Sequence, residues 1–430
     1  MTARQRKLVF RVGRQHRNRL GRWTAAVISQ QPRDELGGAN PTEFPMAKSL
    51  SGVWLRSLRS ITKTQRAQNR LMKSLLPKPA RSPIARPVKV KSPAQRVKAP
   101  TTAPKTVKKA VRAAPLPGSW KLSYFSSSSP ARATAGKRMA YWLYLPFSAS
   151  AVAAPLSLPL LVMLHGCQQT APDFATATRM NLLAERKGFA VLYPQQSAAS
   201  DTHRCWHWYQ RTIQKGQGDV HLIADMITQV QQERGLDASR TYVAGLSAGA
   251  ALATILALRH PELIAALGVH SAPVFGTADS ALSGYRVMQR GAAPVYGEVA
   301  GEVARSVAMA RPPLGGMPAI VIHGDRDAVV RRINARQLGQ QLQIINAAAI
   351  TRAEAARRTF PARAGGRSPK RAYSTTTYYA GRKPQLVQCD ISGLGHAWSG
   401  GDDSVSFSAG AGPDASLMMW TFFARHQLKS

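Results

Sequence analysis

Residues 241–260 read TYVAGLSAGAALATILALRH, and the alternation they contain decides the architecture. Thr241, Tyr242, Val243 and Ala244 form a short run with β-branched and aromatic members, Gly245 interrupts it, and 248–259 is a run of helix formers. A strand that passes into a helix through one turn of small residues is the unit from which alternating α/β proteins are built. The same texture spreads outward in both directions. Apolar strand-like runs fall at 140–145, 160–164, 190–193, 265–270, 319–323 and 386–391, with helical periodicity at 220–233 ahead of Gly235, at 333–345, and at 415–426 after Gly412-Pro413-Asp414. Strands and helices alternating over some 300 residues predict one mostly parallel, doubly wound sheet in a domain that spans 118–430.

The residues before that domain have another character. The chain has 430 residues and a formal net charge of +38, from 59 Lys and Arg against 21 Asp and Glu; residues 1–118 hold 27 of these cations and only three of the acids. Residues 1–45 show no sustained period. At 46–76, Leu50, Val53, Trp54, Leu58 and Ile61 fall near one helical face amid Arg and Lys, which predicts a basic amphipathic helix. That helix either caps the main domain or meets a surface or partner, and Met46, which opens it, is a candidate start of translation. Residues 77–117 are rich in Pro, Ala, Lys, Val and Arg and contain no acid. Too little apolar surface is available there to offset the entropy of ordering, so a disordered linker is expected. Weak contact with a polyanion or a granule surface through 1–117 is the corresponding partner expectation.

Composition excludes some classes. At 44% hydrophobic and 7% aromatic residues the chain is not wholly disordered. No run approaches the roughly 18 apolar residues of a spanning helix. The basic start lacks an apolar segment and cleavage site of the secretory type, so a cytoplasmic location is expected, with an extracellular one as the alternative. The cysteines, Cys167, Cys205 and Cys389, are too few for a disulfide scaffold, and none lies in a Cys-x-x-Cys pair.

Four motifs carry chemistry. Gly245-Leu246-Ser247-Ala248-Gly249, between a strand and a helix, has the context of a nucleophile elbow, in which Ser247 projects from a sharp turn at a helix N-terminus. A serine hydroxyl needs a histidine base, itself oriented by a carboxylate. In this topology those partners follow in the order acid, then histidine. The buried run 320–330, IVIHGDRDAVV, supplies Asp325 and Asp327; Asp327 is taken as the acid and Asp325 as a cap or brace of the loop. The glycine-flanked GLGHAWSGG at 393–401 supplies His396 as the base. Upstream, LLVMLHGCQ at 160–168 ends an apolar strand in His165-Gly166-Cys167. The oxyanion hole is expected from the backbone N–H groups of Cys167 and Ala248. His165 reads as a brace of that loop, with a second base as the rival role. Trp206, Trp208 and Trp398 either line an apolar ester pocket or are ordinary core aromatics.

LHGCQQ at 164–169, RCWHWY at 204–209, GLSAG at 245–249, HGDRDAVV at 323–330 and GHAWSGG at 395–401, five motifs in order, together resemble the polyhydroxybutyrate depolymerase family of esterases, within the α/β-hydrolase superfamily. The resemblance covers roughly 119–427. It implies a Ser247-Asp327-His396 triad and a disulfide joining Cys167 to Cys205, which would fix the oxyanion loop against the Trp206/Trp208 segment; two buried thiols in a reducing compartment are the alternative. It implies a serine esterase that uses no metal or cofactor and acts on polyhydroxybutyrate-type polyesters, their oligomers or short acyl esters. Feruloyl or acetylxylan esterase activity is the alternative within the enzyme class, and a polyanion-binding protein with an inactive hydrolase domain the alternative outside it. Secreted relatives that attack crystalline polymer add a polymer-binding domain after the catalytic one, whereas this sequence ends about 30 residues past His396, so crystalline polymer is expected to be a poor substrate.

Overall fold

The computed structural model describes residues 116–127, 137–147, 157–294, 296–311, 315–352, 354–365 and 370–429. The readings of 1–45, 46–76 and nearly all of 77–117 lie outside these residues. In chain order the elements are β1 (Ser119–Ser126), β2 (Arg138–Leu145), β3 (Leu160–Leu164), α1 (Ala171–Thr178), α2 (Met180–Lys187), β4 (Ala190–Gln195), α3 (Arg211–Gln214), α4 (Asp219–Arg234) and β5 (Thr241–Leu246). They continue with α5 (Ala248–Arg259), β6 (Ala266–His270), α6 (Ala281–Arg290), α7 (Tyr296–Ala310), β7 (Ala319–Gly324), α8 (Ile333–Ile345), β8 (Ala356–Phe360), β9 (Tyr373–Ala380), β10 (Lys383–Ile391), β11 (Trp398–Ser399), β12 (Ser408–Ala409) and α9 (Ala415–Phe423).

Ten strands form one sheet in the order β1-β2-β4-β3-β5-β6-β7-β10-β9-β8. The six from β4 to β10 are parallel, while β1 and β2 at one end and β9 and β8 at the other are antiparallel. The architecture is that of an α/β-hydrolase. Alternation along the strands divides the core between the two faces. In β3, Leu160, Val162 and Leu164 face one layer, which also contains the apolar residues of α4, α5, α7 and α8. Leu161 and Met163 face the other, which holds those of α1, α2 and α9. Strands covered on both sides read as continuous apolar runs, which is why the central ones were legible. In α5 every residue but Arg259 is buried, and a helix apolar all round belongs in an interior.

The flanks were not legible. In β8, ARRTF carries two exposed arginines, and β9, YSTTTYYA, is half-buried along its whole length. Neither gives an apolar alternation; their only mark is the Thr and Tyr content that suits a pleated surface. In β1, Leu122 and Tyr124 point outward and are exposed while Phe125 points in. The last helix stops at Phe423 rather than running to 426. His426 instead donates from Nε2 to the Pro384 carbonyl (3.0 Å) and accepts at its own carbonyl from the Tyr242 hydroxyl (2.7 Å).

Candidate active site

The centre of the site is the turn between β5 and α5. Ser247 has φ 57° and ψ −121°, a region that costs a non-glycine residue on the order of 1–3 kcal/mol. Two bonds hold it there: its N–H donates to the His270 carbonyl (3.0 Å) and its carbonyl accepts from Ala251 (3.0 Å). Both glycines are dictated by close approach. A Cβ on Gly249 would lie 2.1 Å from the Leu164 carbonyl oxygen, and one on Gly245 would lie 2.5 Å from the Gly249 carbonyl carbon, so the turn presses directly on the end of β3.

The loop after β3 lies beside this serine. A Cβ on Gly166 would stand 3.7 Å from Ser247 Cβ. Cys167 is bonded to Cys205 in a disulfide, the Gln168 N–H donates to the His203 carbonyl (2.6 Å), and Gln168 takes φ 64°. The Trp206 indole N–H donates to the His165 carbonyl (3.0 Å). The 203–206 segment therefore grips both ends of the loop that carries Cys167. His165 is a brace. Its Nδ1–H donates to the Gly166 carbonyl (2.8 Å), its Nε2 accepts from the Gln196 N–H (3.1 Å), and burial lowers its pKa to about 4. The ring is neutral and both nitrogens are engaged, which leaves it no lone pair for a second base.

Asp327 and His396 come together from loops 69 residues apart in sequence. Asp327 Oδ2 accepts from His396 Nδ1 at 2.8 Å. Its Oδ1 accepts from the backbone N–H groups of Val329 (3.0 Å) and Val330 (2.9 Å), and the carboxylate is fully buried. Burial works against ionisation here. The hydrogen bond from His396, the nearby rings of His396 and His323, and the Val330 N–H outweigh it and hold the carboxyl at about 2. A carboxylate on Nδ1 leaves Nε2 of His396 for chemistry, and this side chain retains 10% exposure.

Asp325, two residues away, is exposed; it accepts from the Gly393 N–H (2.7 Å) and so braces the loop that carries His396. Alongside it the Arg326 N–H donates to the Leu394 carbonyl (3.0 Å).

Two histidines that the sequence reading left without a role complete the surroundings. His323 donates from Nε2 to the Val330 carbonyl (2.9 Å) and clamps the turn whose N–H groups hold Asp327. His270 accepts at Nε2 from the Ser399 N–H (3.3 Å), lies against the ring of Trp398 (centroids 5.4 Å, 29° between planes), and has its pKa lowered to about 3, chiefly by burial. Its carbonyl also receives the Ser247 N–H, so β6 ties the serine turn to the histidine loop. Their positions at strand ends, 270 in VHSAP and 323 in IVIHGD, were the available signal.

The tryptophans lie in the core. Trp206 and Trp398 have no exposed surface and Trp208 has 4%. Trp398 donates from its indole N–H to Ser416 Oγ (3.1 Å) and packs edge-on against Phe174. Of the two readings of these residues, burial supports the structural one: they hold loops in place, and the expected role as substrate-pocket walls finds no exposed ring face here. Among the described residues no group of three or more His, Cys, Asp and Glu is placed to hold a metal ion.

Against known proteins, residues 139–365 match the family model described as "Esterase PHB depolymerase". Poly(3-hydroxyalkanoate) depolymerase C of Paucimonas lemoignei is 34% identical over 138 residues, 32% of this chain and 33% of that protein. Probable acetylxylan esterase A of Aspergillus fumigatus is 37% identical over 114 residues, 26% of this chain and 30% of that protein. The matched segments thus span about a third of these relatives. A solved acetyl xylan esterase from Aspergillus awamori aligns with a TM-score of 0.46 at 20% identity, over 71% of this chain and 99% of that one. The family match takes in more than half of the chain, from β2 through the Ser247 turn and the Asp327 loop to the end of β8, and the chain belongs to the PHB depolymerase family of esterases.

Proposed function

We propose that the chain is a serine carboxylic-ester hydrolase in which Ser247 attacks the ester carbonyl, His396 takes and returns the proton, and Asp327 holds His396 in the productive tautomer. The backbone N–H groups of Cys167 and Ala248 receive the developing oxyanion, and water then releases the acyl group. The 2.8 Å contact of His396 Nδ1 with the buried Asp327 carboxylate carries this reading. That contact leaves Nε2 on the far side of the ring from the carboxylate, in a domain that also holds a serine on a strained strand-to-helix turn, and both features support the reading.

The family and the Paucimonas relative favour hydroxyalkanoate oligomers, amorphous polyester and short acyl esters as substrates. The acetylxylan esterase relatives keep acetylated polysaccharide as the second reading. A disulfide beside the reactive turn suits an oxidising compartment and favours the extracellular alternative over the cytoplasmic one. No described helix is long and apolar enough to cross a membrane.

The test is Ser247→Ala. Hydrolysis of p-nitrophenyl butyrate should fall by about 10⁴-fold or more, and labelling by a fluorophosphonate should vanish with the circular dichroism spectrum unchanged. Labelling that persists in the variant would place the nucleophile elsewhere.

A further inference from the structure

The far edge of the sheet departs from the rest of the domain in charge. Residues 351–383 contain nine Lys and Arg and a single acid, Glu354. Among the described residues none of these cations forms an ion pair, whereas Arg179, Arg211, Arg240 and Arg332 elsewhere each have a carboxylate partner. The charges are spread along the edge. Arg357 and Arg358 sit mid-strand on β8, opposite Thr376 and Thr375. Arg382 and Lys383 mark the β9–β10 turn at one end, and Arg363 and Lys370, paired through their backbones, mark the other. At about 3.3 Å per residue the strand between them spans several repeat units of a linear polymer.

Between the cations lie four half-exposed hydroxyls, which alternate between the faces of the sheet: Ser374 and Thr376 share one face with Arg357, Thr375 and Thr377 the other with Arg358. The aromatic rings of this region are already engaged. Phe360 stacks on Tyr373 (centroids 4.4 Å), Arg352 lies over Tyr379 at 5.0 Å, and Tyr378 packs against the core. Nucleic-acid strands are held on such surfaces largely by stacking of bases on open rings, whereas these rings are only partly exposed and each already has a neighbour on it. Guanidinium forks match carboxylates, and threonine hydroxyls match sugar hydroxyls.

We propose that the β8–β9 edge is a docking surface for a linear acidic polysaccharide, one that bears uronate carboxylates. The edge leads to the site: Arg371, which follows Lys370, donates from Nη1 to the Gly393 carbonyl (2.8 Å) on the loop of His396. A polymer held along the edge would be retained next to the catalytic turn without entering it.

The experiment uses the full chain and a charge-matched comparison, because residues 1–118 carry 27 cations against three acids and would compete for the same probes. Arg357→Glu/Arg358→Glu/Arg382→Glu/Lys383→Glu is compared with Lys105→Glu/Lys108→Glu/Lys109→Glu/Arg112→Glu, which changes the net charge equally. Affinity for polygalacturonate, neutral xylan and single-stranded DNA is measured at about 0.15 M salt, where the Debye length is about 8 Å, with thermal melts as the check on folding. The edge variant should bind polygalacturonate about tenfold more weakly and the control variant should stay within about twofold, with no binding of xylan by any form. The milder Arg357→Gln/Arg358→Gln, which keeps hydrogen-bonding side chains on the strand, should show an intermediate loss if the reversal variant melts early. Equal losses in both charge-reversed variants would reduce the effect to net charge and overturn the proposal. So would loss of DNA binding with polygalacturonate binding intact. If the edge variants aggregate yet bind polygalacturonate as before, the arginines only protect an open sheet edge, and the proposal fails.

Discussion

The parallel centre of the sheet and its antiparallel flank at β8–β9 obey opposite rules. In the centre, β3, β5, β6 and β7 are buried along their whole length, and the acid that follows β7 is held by several partners. Asp327 receives two backbone N–H groups and a histidine ring. On the flank the charged groups of β8 are solvated and no strand residue is fully buried. The proposed catalytic pair lies where water is excluded, because a carboxylate and an imidazole interact strongly only when desolvated and fixed. The docking proposed for the flank needs the reverse, since side chains kept in water are free to turn their hydrogen-bonding groups to an incoming polymer.

The sharpest way to break this contrast is to change the two aspartates of one turn. Asp327→Asn should lower kcat for p-nitrophenyl butyrate by about 10³–10⁴-fold by holding the wrong tautomer of His396. Asp325→Asn, which alters an exposed brace, should cost less than about tenfold. If the two losses come out reversed, the acid of the triad is Asp325 and the buried centre does not carry the chemistry.

Next in size is a packing test. Trp398→Ala removes a ring with no exposed surface that touches Phe174 and His270, and should destabilise the fold by about 3–5 kcal/mol in urea unfolding. Arg357→Ala on the flank should stay within about 0.5 kcal/mol. A large loss from the arginine would mean that the flank is packed as tightly as the centre.

Acid stability separates the regions by a slope with pH. The buried rings of His165 and His270 have pKa values lowered to about 4 and about 3, chiefly by burial. An unfolded histidine takes up its proton near pH 6.5. Between there and pH 4 the unfolded chain binds more protons than the folded one, so stability falls as the pH is lowered. Each histidine contributes a slope of about 1.4 kcal/mol per pH unit. Below the unfolded carboxylate value, near 3.9, Asp327 adds to the loss until its folded value of about 2 is passed. Urea midpoints taken from pH 7 to pH 3 should show this decline, and Arg357→Ala should leave its slope unchanged. A flat profile above pH 4 would mean that the two rings are protonated in the folded state.

The sequence alone determined the doubly wound class, because strands covered on both faces must be continuous apolar runs and the helices between them must carry a 3.6-residue period. It also marked the tight turn at Ser247 through Gly245 and Gly249 on either side, at which the structure leaves no room for a side chain. Which aspartate meets His396 was decided only by the tertiary structure. Asp325 and Asp327 are the same residue type on one turn, and the clamp of His323 on the Val330 carbonyl turns Asp327 inward while Asp325 goes to the Gly393 N–H. The burial of the tryptophans was decided the same way. Aromatic rings suit a pocket wall and a core equally well in sequence, and only the packing around Trp206, Trp208 and Trp398 buries them. The strands β8 and β9 stayed hidden for the matching reason: their side chains answer to water, so no buried face imposed a pattern on them.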